Sequence, residues 1–136
     1  MRRAFGTALA FAAVLVLAAS PDDAAGQDVA VLNCAIDAVF ACSGPDSCVR
    51  GIADTVSLPR TLMVDLGNKR VSGDKSGRTA RITSTSRGGG KLMVLGEEVE
   101  VRGVTWSVVV KDASGEFTGA VLSEPGGYLL FGTCRR

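Results

Sequence analysis

The sequence predicts an all-β protein: a small up-and-down β-barrel of about eight short strands, with two disulfides, preceded by a signal peptide. Short runs rich in Val, Thr and aromatic residues recur along the chain, with turn-forming residues about every 8–12 positions. The turns are of hairpin length, so successive strands are expected to be antiparallel neighbours. An even number of cysteines in an exported chain of this size indicates disulfides. Together these features favour a barrel over a sandwich.

The N-terminal residues have the features of a signal peptide. Residues 1–3 supply a positive start, residues 8–19 form an apolar run, and residues 24–26 offer small side chains for cleavage. The apolar run is shorter than the roughly 20 residues that a membrane-spanning helix needs. We therefore expect a signal peptide over 1–26, one domain over 27–136, and a periplasmic or secreted protein without stable membrane insertion after cleavage. An uncleaved anchor is the alternative.

All four cysteines follow the predicted signal peptide, and four cysteines allow three disulfide pairings. Cys42 and Cys48 flank residues 43–47, whose Gly, Pro and Asp favour a turn that brings its ends together. Cys34 and Cys134 lie in apolar stretches near opposite ends of the mature chain. We therefore predict the bonds Cys42–Cys48 and Cys34–Cys134. The alternative is a four-thiolate zinc site, which export and the lack of a Cys-x-x-Cys pair disfavour.

Residues 30–42 are predicted to form the first strand. Their even-numbered positions are apolar or Cys, whereas the odd-numbered positions include Asn33 and Asp37. This period of two is typical of a half-buried strand, whose successive side chains face opposite sides. A helix is the competing interpretation, because Ile36 and Phe40 are four residues apart in an Ala-rich stretch.

The middle of the domain is predicted to be a series of hairpins. The predicted strands are residues 61–66, 69–72, 78–86 and 92–95. Glycine-containing turns separate them. Residues 49–60 are expected to be irregular chain or an edge strand that ends at Pro59. Residues 97–103 either continue the preceding strand or form the turn after it.

The C-terminal part of the chain contains three more predicted strands, at residues 105–111, 116–122 and 128–134. Residues 112–115 and 124–127 separate them, and both segments contain the Gly, Pro or Asp residues of tight turns. A barrel closes only if its first and last strands are neighbours. A Cys34–Cys134 bond would hold them in that arrangement, because the last strand ends at Cys134.

The last strand and the early cysteines form a recognisable pattern. Residues 130–134 read Leu-Phe-Gly-Thr-Cys, a Gly-ended turn precedes the Glu-Phe pair at 116–117, and Cys34, Cys42 and Cys48 form an early trio. In these features the chain resembles functionally uncharacterised short exported proteins of bacteria. The resemblance implies a small disulfide-linked β-domain and carries over no catalytic residue.

The composition excludes several classes of function. The chain has no histidine, which removes Ser-His-Asp and Cys-His catalysis, histidine metal ligands and the usual near-neutral proton shuttle. Its 15 Lys and Arg nearly balance its 14 Asp and Glu, whereas nucleic-acid-binding domains have a large basic excess. Residues 86–91 lack the spacing of a phosphate-binding loop, and residues 74–77 lack the acids of a calcium loop. We expect no cofactor, no metal, no catalytic residue and no nucleic-acid partner.

A basic stretch crosses the middle of the chain. It consists of Lys69, Arg70, Lys75, Arg78, Arg81, Arg87 and Lys91, interrupted by Asp74. Glu97, Glu98 and Glu100 follow directly. The favoured interpretation is a solvated barrel face on which the two groups neutralise each other across strands. The other interpretation is a patch for anionic envelope material, such as lipid head groups or acidic glycans.

The aromatic residues Trp106, Phe117, Tyr128 and Phe131 have two possible roles. A barrel of about eight strands either fills its interior with side chains or admits one small ligand. Because the aromatics are few, we expect them to form core rather than to line a ligand cavity. Trp106 shares its strand face with Val108 and is predicted to be structural.

The sequence therefore favours an exported, non-enzymatic β-barrel that acts as a periplasmic binding or interaction module. The expected partner is an envelope protein or an anionic envelope component, and no residue pattern identifies the ligand. One alternative is an inhibitor of an envelope-targeting hydrolase such as lysozyme, since some lysozyme inhibitors are small disulfide-bonded β-barrels. The other alternative is a small enzyme, which the absence of histidine disfavours.

Overall fold

The computed structural model describes residues 31–74, 77 and 79–136; the predicted signal peptide, Lys75 and Arg78 lie outside these residues. The strands are β1 (Val31–Gly44), β2 (Ser47–Gly51), β3 (Thr61–Asp65), β4 (Arg70–Gly73), β5 (Thr79–Gly88), β6 (Lys91–Glu98), β7 (Thr105–Lys111), β8 (Glu116–Leu122) and β9 (Gly127–Arg135). A 3-10 helix, Ala53–Val56, follows β2. Within the described ranges, no helix is long and apolar enough to cross a membrane.

β1 is the strand that closes the barrel. Its first half pairs with β3 and most of its length pairs with β9, while β3 to β9 pair in chain order. The result is a closed antiparallel barrel of eight strands. β2 is an additional strand that pairs with the second half of β1. The predicted all-β barrel is confirmed, with one strand more than the closed ring needs.

Both predicted disulfides are present. Cys34 lies directly opposite Cys134 in the β1–β9 ladder, and their sulfurs are 2.07 Å apart. This bond crosses the seam where the barrel closes. Cys42 is bonded to Cys48 across the β1–β2 hairpin. The two bonds therefore attach β1 to its neighbour on each side.

The two faces of β1 exchange part-way along the strand. The register with β9 shifts between Ile36 and Ala38, which marks a β-bulge. Val39 is fully buried as a result, and Phe40 lies on the outer face, opposite the exposed Leu129. The predicted strand is therefore confirmed, but the alternation that placed Ala38 and Phe40 on the face of Cys34 is wrong beyond the bulge. One extra residue in a strand moves every later side chain to the opposite face of the sheet.

The structure also decides the segments whose conformation the sequence left open. Residues 49–60 divide between the edge strand β2, the 3-10 helix and a return segment. β6 continues through Glu98, and the chain then turns, with the Glu98 N–H donating to the Val104 carbonyl at 3.0 Å. Glu98 and Glu100 therefore do not share a strand face.

Alternate residues of the barrel strands form the core. It includes Leu32, Cys34, Val39, Val64, Val71, Ile82, Leu92, Val94, Val110, Phe117, Leu130 and Cys134. Burial of one such large apolar side chain stabilises the fold by roughly 1.5–3 kcal/mol relative to exposure. Some inward positions are occupied by glycine, and two of these, Gly96 and Gly119, are buried.

The two ends of the barrel differ in their connections. At one end, here called the hairpin end, short turns at 66–69, 89–90 and 112–115 join the strands. At the opposite end, the loop end, lie the connections 52–60, 99–104 and 123–126, of which the first two are longer. The Cys34–Cys134 bond lies toward the hairpin end, because β1 begins and β9 finishes there.

Candidate functional site

A cavity of about 90 Å³ lies inside the barrel and opens at the loop end. Its wall consists mainly of inward aliphatic side chains from β3, β4, β6, β7 and β9. They include Val64, Val71, Val94, Val108, Val110 and Leu130. These residues are mostly β-branched because such side chains pack well on a pleated sheet. The interior therefore offers an apolar surface that the barrel's own side chains do not fill.

The segment after the 3-10 helix forms part of the cavity entrance, through Ser57, Leu58 and Pro59. Ser57 has a left-handed backbone with φ of 57°, and the Leu58 N–H donates to the Ala53 carbonyl at 3.0 Å. Leu58 also packs against the core. Arg60 pairs with Asp54, and the hydrogen bond that its guanidinium donates to that carboxylate raises the pKa of Arg60. The entrance is thus held by local backbone and ion-pair contacts.

Trp106 is part of the same wall, so the expectation that it would form core rather than line a cavity holds only in part. Its side chain is half-buried, packs against the core and lines the cavity. The ring lies over Gly96, its cross-strand neighbour on β6. Its Nε1 is buried and has no hydrogen-bond partner among the described residues. Trp106 therefore contributes apolar surface rather than an accessible donor.

The other aromatic residues do not all follow the prediction. Phe117 is buried and Tyr128 packs against the core. Phe131, in contrast, lies on the outer face, where its ring centroid is 5.9 Å from that of Phe40 in an edge-to-face arrangement. The expectation that Phe131 belongs to the core is wrong. Its strand neighbour Leu130 takes the inward position instead.

Glu98 brings a charged group to the cavity. It is the last residue of β6, lies opposite Ala80 of β5 and lines the loop-end part of the wall. From the sequence alone, Glu98 was considered only as a member of the acidic group with Glu97 and Glu100. The sequence feature that could have placed Glu98 at the cavity is its position four residues after the buried Val94, because residues an even number apart on a strand face the same side.

The chain matches no family model. No curated protein matches it either. The site must therefore be judged from its own chemistry. Among the residues that the structure describes, no group of three or more His, Cys, Asp or Glu is placed to hold a metal ion. The arrangement is suited to binding an apolar group through burial of its surface.

The predicted basic stretch does not form one continuous surface. Arg81 pairs with Glu97 on the adjacent strand, and Arg87 pairs with Asp112 at 2.8 Å. Arg70 lies directly opposite Arg81, with Asp65 on its other side. The Arg81 pair agrees with neutralisation across strands. Such exposed pairs contribute only about 0–1 kcal/mol each.

Four residues of that stretch instead lie at the hairpin end: Lys69, Arg70, Arg87 and Lys91. There they are joined by three further basic residues, Lys111, Arg135 and Arg136. Sequence reasoning missed this second set, although alternate turns of an up-and-down barrel always share one end. The structure therefore gathers basic residues that are distant in the chain.

Proposed function

We propose that this chain is an exported, non-enzymatic binding module that holds the apolar end of a small ligand inside its barrel. The observation that carries the proposal is the aliphatic cavity of about 90 Å³, open at the loop end. Small-molecule sites are typically apolar concavities with a few polar groups that fix orientation. The mouths of β-barrels are among their preferred locations.

The size of the cavity limits the ligand. An engineered apolar cavity of about 150 Å³ binds benzene. The cavity here, at about 90 Å³, suits a smaller group such as a short alkyl chain. The polar end of the ligand then remains at the entrance, near Ser57 and the Glu98 carboxylate. We infer a neutral amphiphile with a short apolar chain that enters first.

Two features support a role outside the cytoplasm. Both disulfides are formed, and disulfides persist mainly in oxidising compartments. The N-terminal residues 1–26 carry the features of a signal peptide. We propose that the domain acts in the periplasm or after secretion.

Methyl NMR with pentan-1-ol as the probe tests the proposal. We expect saturable shift changes at the methyl groups of Val94, Val108 and Leu130, which line the cavity. Ala80→Leu adds bulk at a buried lining position and is expected to weaken binding by about tenfold or more. Ala113→Leu, in the exposed 112–115 turn, is the matched control and leaves binding unchanged. Shift changes that fail to saturate, or that occur on the outer face, would contradict the proposal.

A further inference from the structure

We propose that the outer face of the barrel, together with the basic residues of the hairpin end, docks this domain onto an anionic membrane surface. This docking is a second activity, separate from the proposed ligand binding, because it uses the outside of the barrel. It rests on three features: an exposed apolar band, a basic row beside it, and a basic groove at the hairpin end.

The apolar band consists of outward side chains in two adjacent rows across β6, β7, β8, β9 and β1. One row contains Met93, Val109 and Phe131, and the other contains Leu95, Leu129 and Phe40. Ala, Ser and Thr occupy the outward positions between them, and no charged residue interrupts either row. Leu95 and Leu129 are each 45% exposed, and Phe131 is 39% exposed. Contiguous exposed patches of this kind mark interaction sites with proteins or membranes.

The next row toward the hairpin end is basic. Lys91 lies directly opposite Lys111 in the β6–β7 ladder. Like charges in directly opposite positions destabilise a sheet. The positive charge of Lys111 is balanced by Glu116, whose Oε2 lies 2.7 Å from Lys111 Nζ. Lys91 makes no ion pair within the part of the chain that the structure describes. This row therefore has an uncompensated positive charge at the edge of the apolar band.

The hairpin end extends this positive charge. Arg87, Lys111, Arg135 and Arg136 line one groove of about 340 Å³. With Lys69, Arg70 and Lys91, the described basic residues at this end number seven, and the described acidic ones are Asp65, Asp112 and Glu116. Seven against three leaves an excess of four positive side chains. A local excess of this size attracts anionic surfaces.

The combination favours a membrane over a second copy of the chain. If two copies paired their bands with parallel strands, the row of Lys91 and Lys111 would face its own counterpart, and like charges would meet. If the strands were antiparallel, that row would face Arg81 and Glu97, which already pair with each other. An anionic bilayer instead offers phosphates to the basic residues and an apolar region to the band.

Vesicle co-sedimentation tests the proposal, with protein expressed from its full coding sequence so that any processing takes place. The probes are vesicles of phosphatidylcholine with and without phosphatidylglycerol. We expect binding only when phosphatidylglycerol is present, and weaker binding at high salt. Lys91→Glu with Arg135→Glu reverses two positive charges at the hairpin end. Leu129→Ser with Phe131→Ser removes apolar surface from the band. Each pair is expected to lower vesicle binding by about tenfold or more.

Matched controls separate the site from general surface effects. Arg102→Glu reverses a charge away from the hairpin end and the band, and Val99→Ser with Val101→Ser removes apolar groups that are 58% and 42% exposed in the 99–104 connection, outside the band. These controls are expected to change binding by less than about twofold. If a double variant does not fold, Lys91→Gln and Phe131→Thr replace it as single substitutions.

Several results would overturn the proposal. One is the absence of binding to phosphatidylglycerol vesicles, and another is equal binding to both kinds of vesicle. Binding that survives the Leu129→Ser and Phe131→Ser pair would leave the apolar band without a role. Sedimentation that shows a dimer in solution, lost in that same variant, would assign the band to a second copy of the chain.

Discussion

Gly96 of β6 makes room for the indole of Trp106 on β7. A Cβ at Gly96 would lie 2.1 Å from Cζ2 of Trp106 and 2.2 Å from the Arg81 carbonyl oxygen. Both distances are far below van der Waals contact. The small residue and the large one therefore form a single packing unit in the cavity wall, because the ring occupies the space that any other side chain would need.

This relationship predicts that Gly96→Ala is destabilising. We expect a loss of about 1–3 kcal/mol in the free energy of unfolding, since the added methyl forces the ring or the backbone to shift. Gly88→Ala is the control, because a Cβ there meets nothing within 4 Å and its φ is not positive. Urea denaturation monitored by circular dichroism measures both variants. Equal unfolding free energies of the two variants would contradict this prediction, since the cavity wall would then accommodate the added methyl group with no loss of stability.

The same contact predicts that substitutions at Trp106 and Gly96 have non-additive effects on the free energy of unfolding. Trp106→Ala alone is expected to cost about 3 kcal/mol, at the low end for buried aromatics because the ring is only half-buried. In that background Gly96→Ala should cost less than in the wild type, since the ring is gone. Part of the cost remains because the Arg81 carbonyl still opposes the methyl. A double-mutant cycle of unfolding free energies with no coupling energy would contradict the packing unit.

The two disulfides are predicted to differ in their contribution to stability. Cys34 and Cys134 are separated by 100 positions, so replacing both with Ser should cost about 4–5 kcal/mol in the chain-entropy account. Cys42 and Cys48 are separated by 6 positions, and the same change there should cost about 2 kcal/mol. Thermal unfolding of the two double variants makes the comparison. A larger loss for the β1–β2 bond would mean that the hairpin, rather than the seam, limits stability.

The pKa of the Asp65 carboxyl is predicted to lie below its ordinary value because of Asn68. The Asn68 side chain donates to Asp65 Oδ2 at 2.8 Å and its backbone N–H donates to Oδ1 at 2.9 Å, and these bonds lower the pKa of the carboxyl. Asn68→Ala removes the side-chain donor, so the pKa of Asp65 should rise toward its ordinary value. Because the folded-state pKa is the lower one, this contribution to stability is present above the unfolded pKa and is lost as pH falls through the folded pKa.

NMR titration of the Asp65 carboxyl carbon measures this effect. Asn33→Ala, at an exposed position on β1, is the control and should leave the Asp65 titration unchanged. A pKa that does not move in Asn68→Ala would show that the backbone donors alone set it.

Much of the fold was predictable because its signals are local. The alternation in residues 61–66, the turn residues at 112–115 and the even cysteine count each depend on a few neighbouring positions. The pairing of Cys34 with Cys134 also followed, since closing a barrel requires its first and last strands to meet. The structure confirms these predictions.

The candidate site was only partly predictable. Phe117 lies in the core as expected, Trp106 packs against the core but also lines the cavity, and Phe131 lies on the outer face. No local pattern showed that Gly96 accommodates the ring of Trp106, because that contact joins two strands in a particular register. The basic groove was missed for the same reason, since Arg87 and Arg135 are distant in the chain and meet only at the hairpin end.

The sequence by itself determined the class of fold and the strand spacing, because turn chemistry and the alternation of side chains act within each segment. The requirement that a barrel close then indicated the Cys34–Cys134 bond. The tertiary structure decided which face of each strand is inside. A single extra residue between Ile36 and Ala38 inverts the rest of β1, and only its pairing with β9 reveals that shift. It also decided that the interior retains an apolar cavity. Whether inward side chains fill a barrel depends on how all the strands are staggered together, which no single segment encodes.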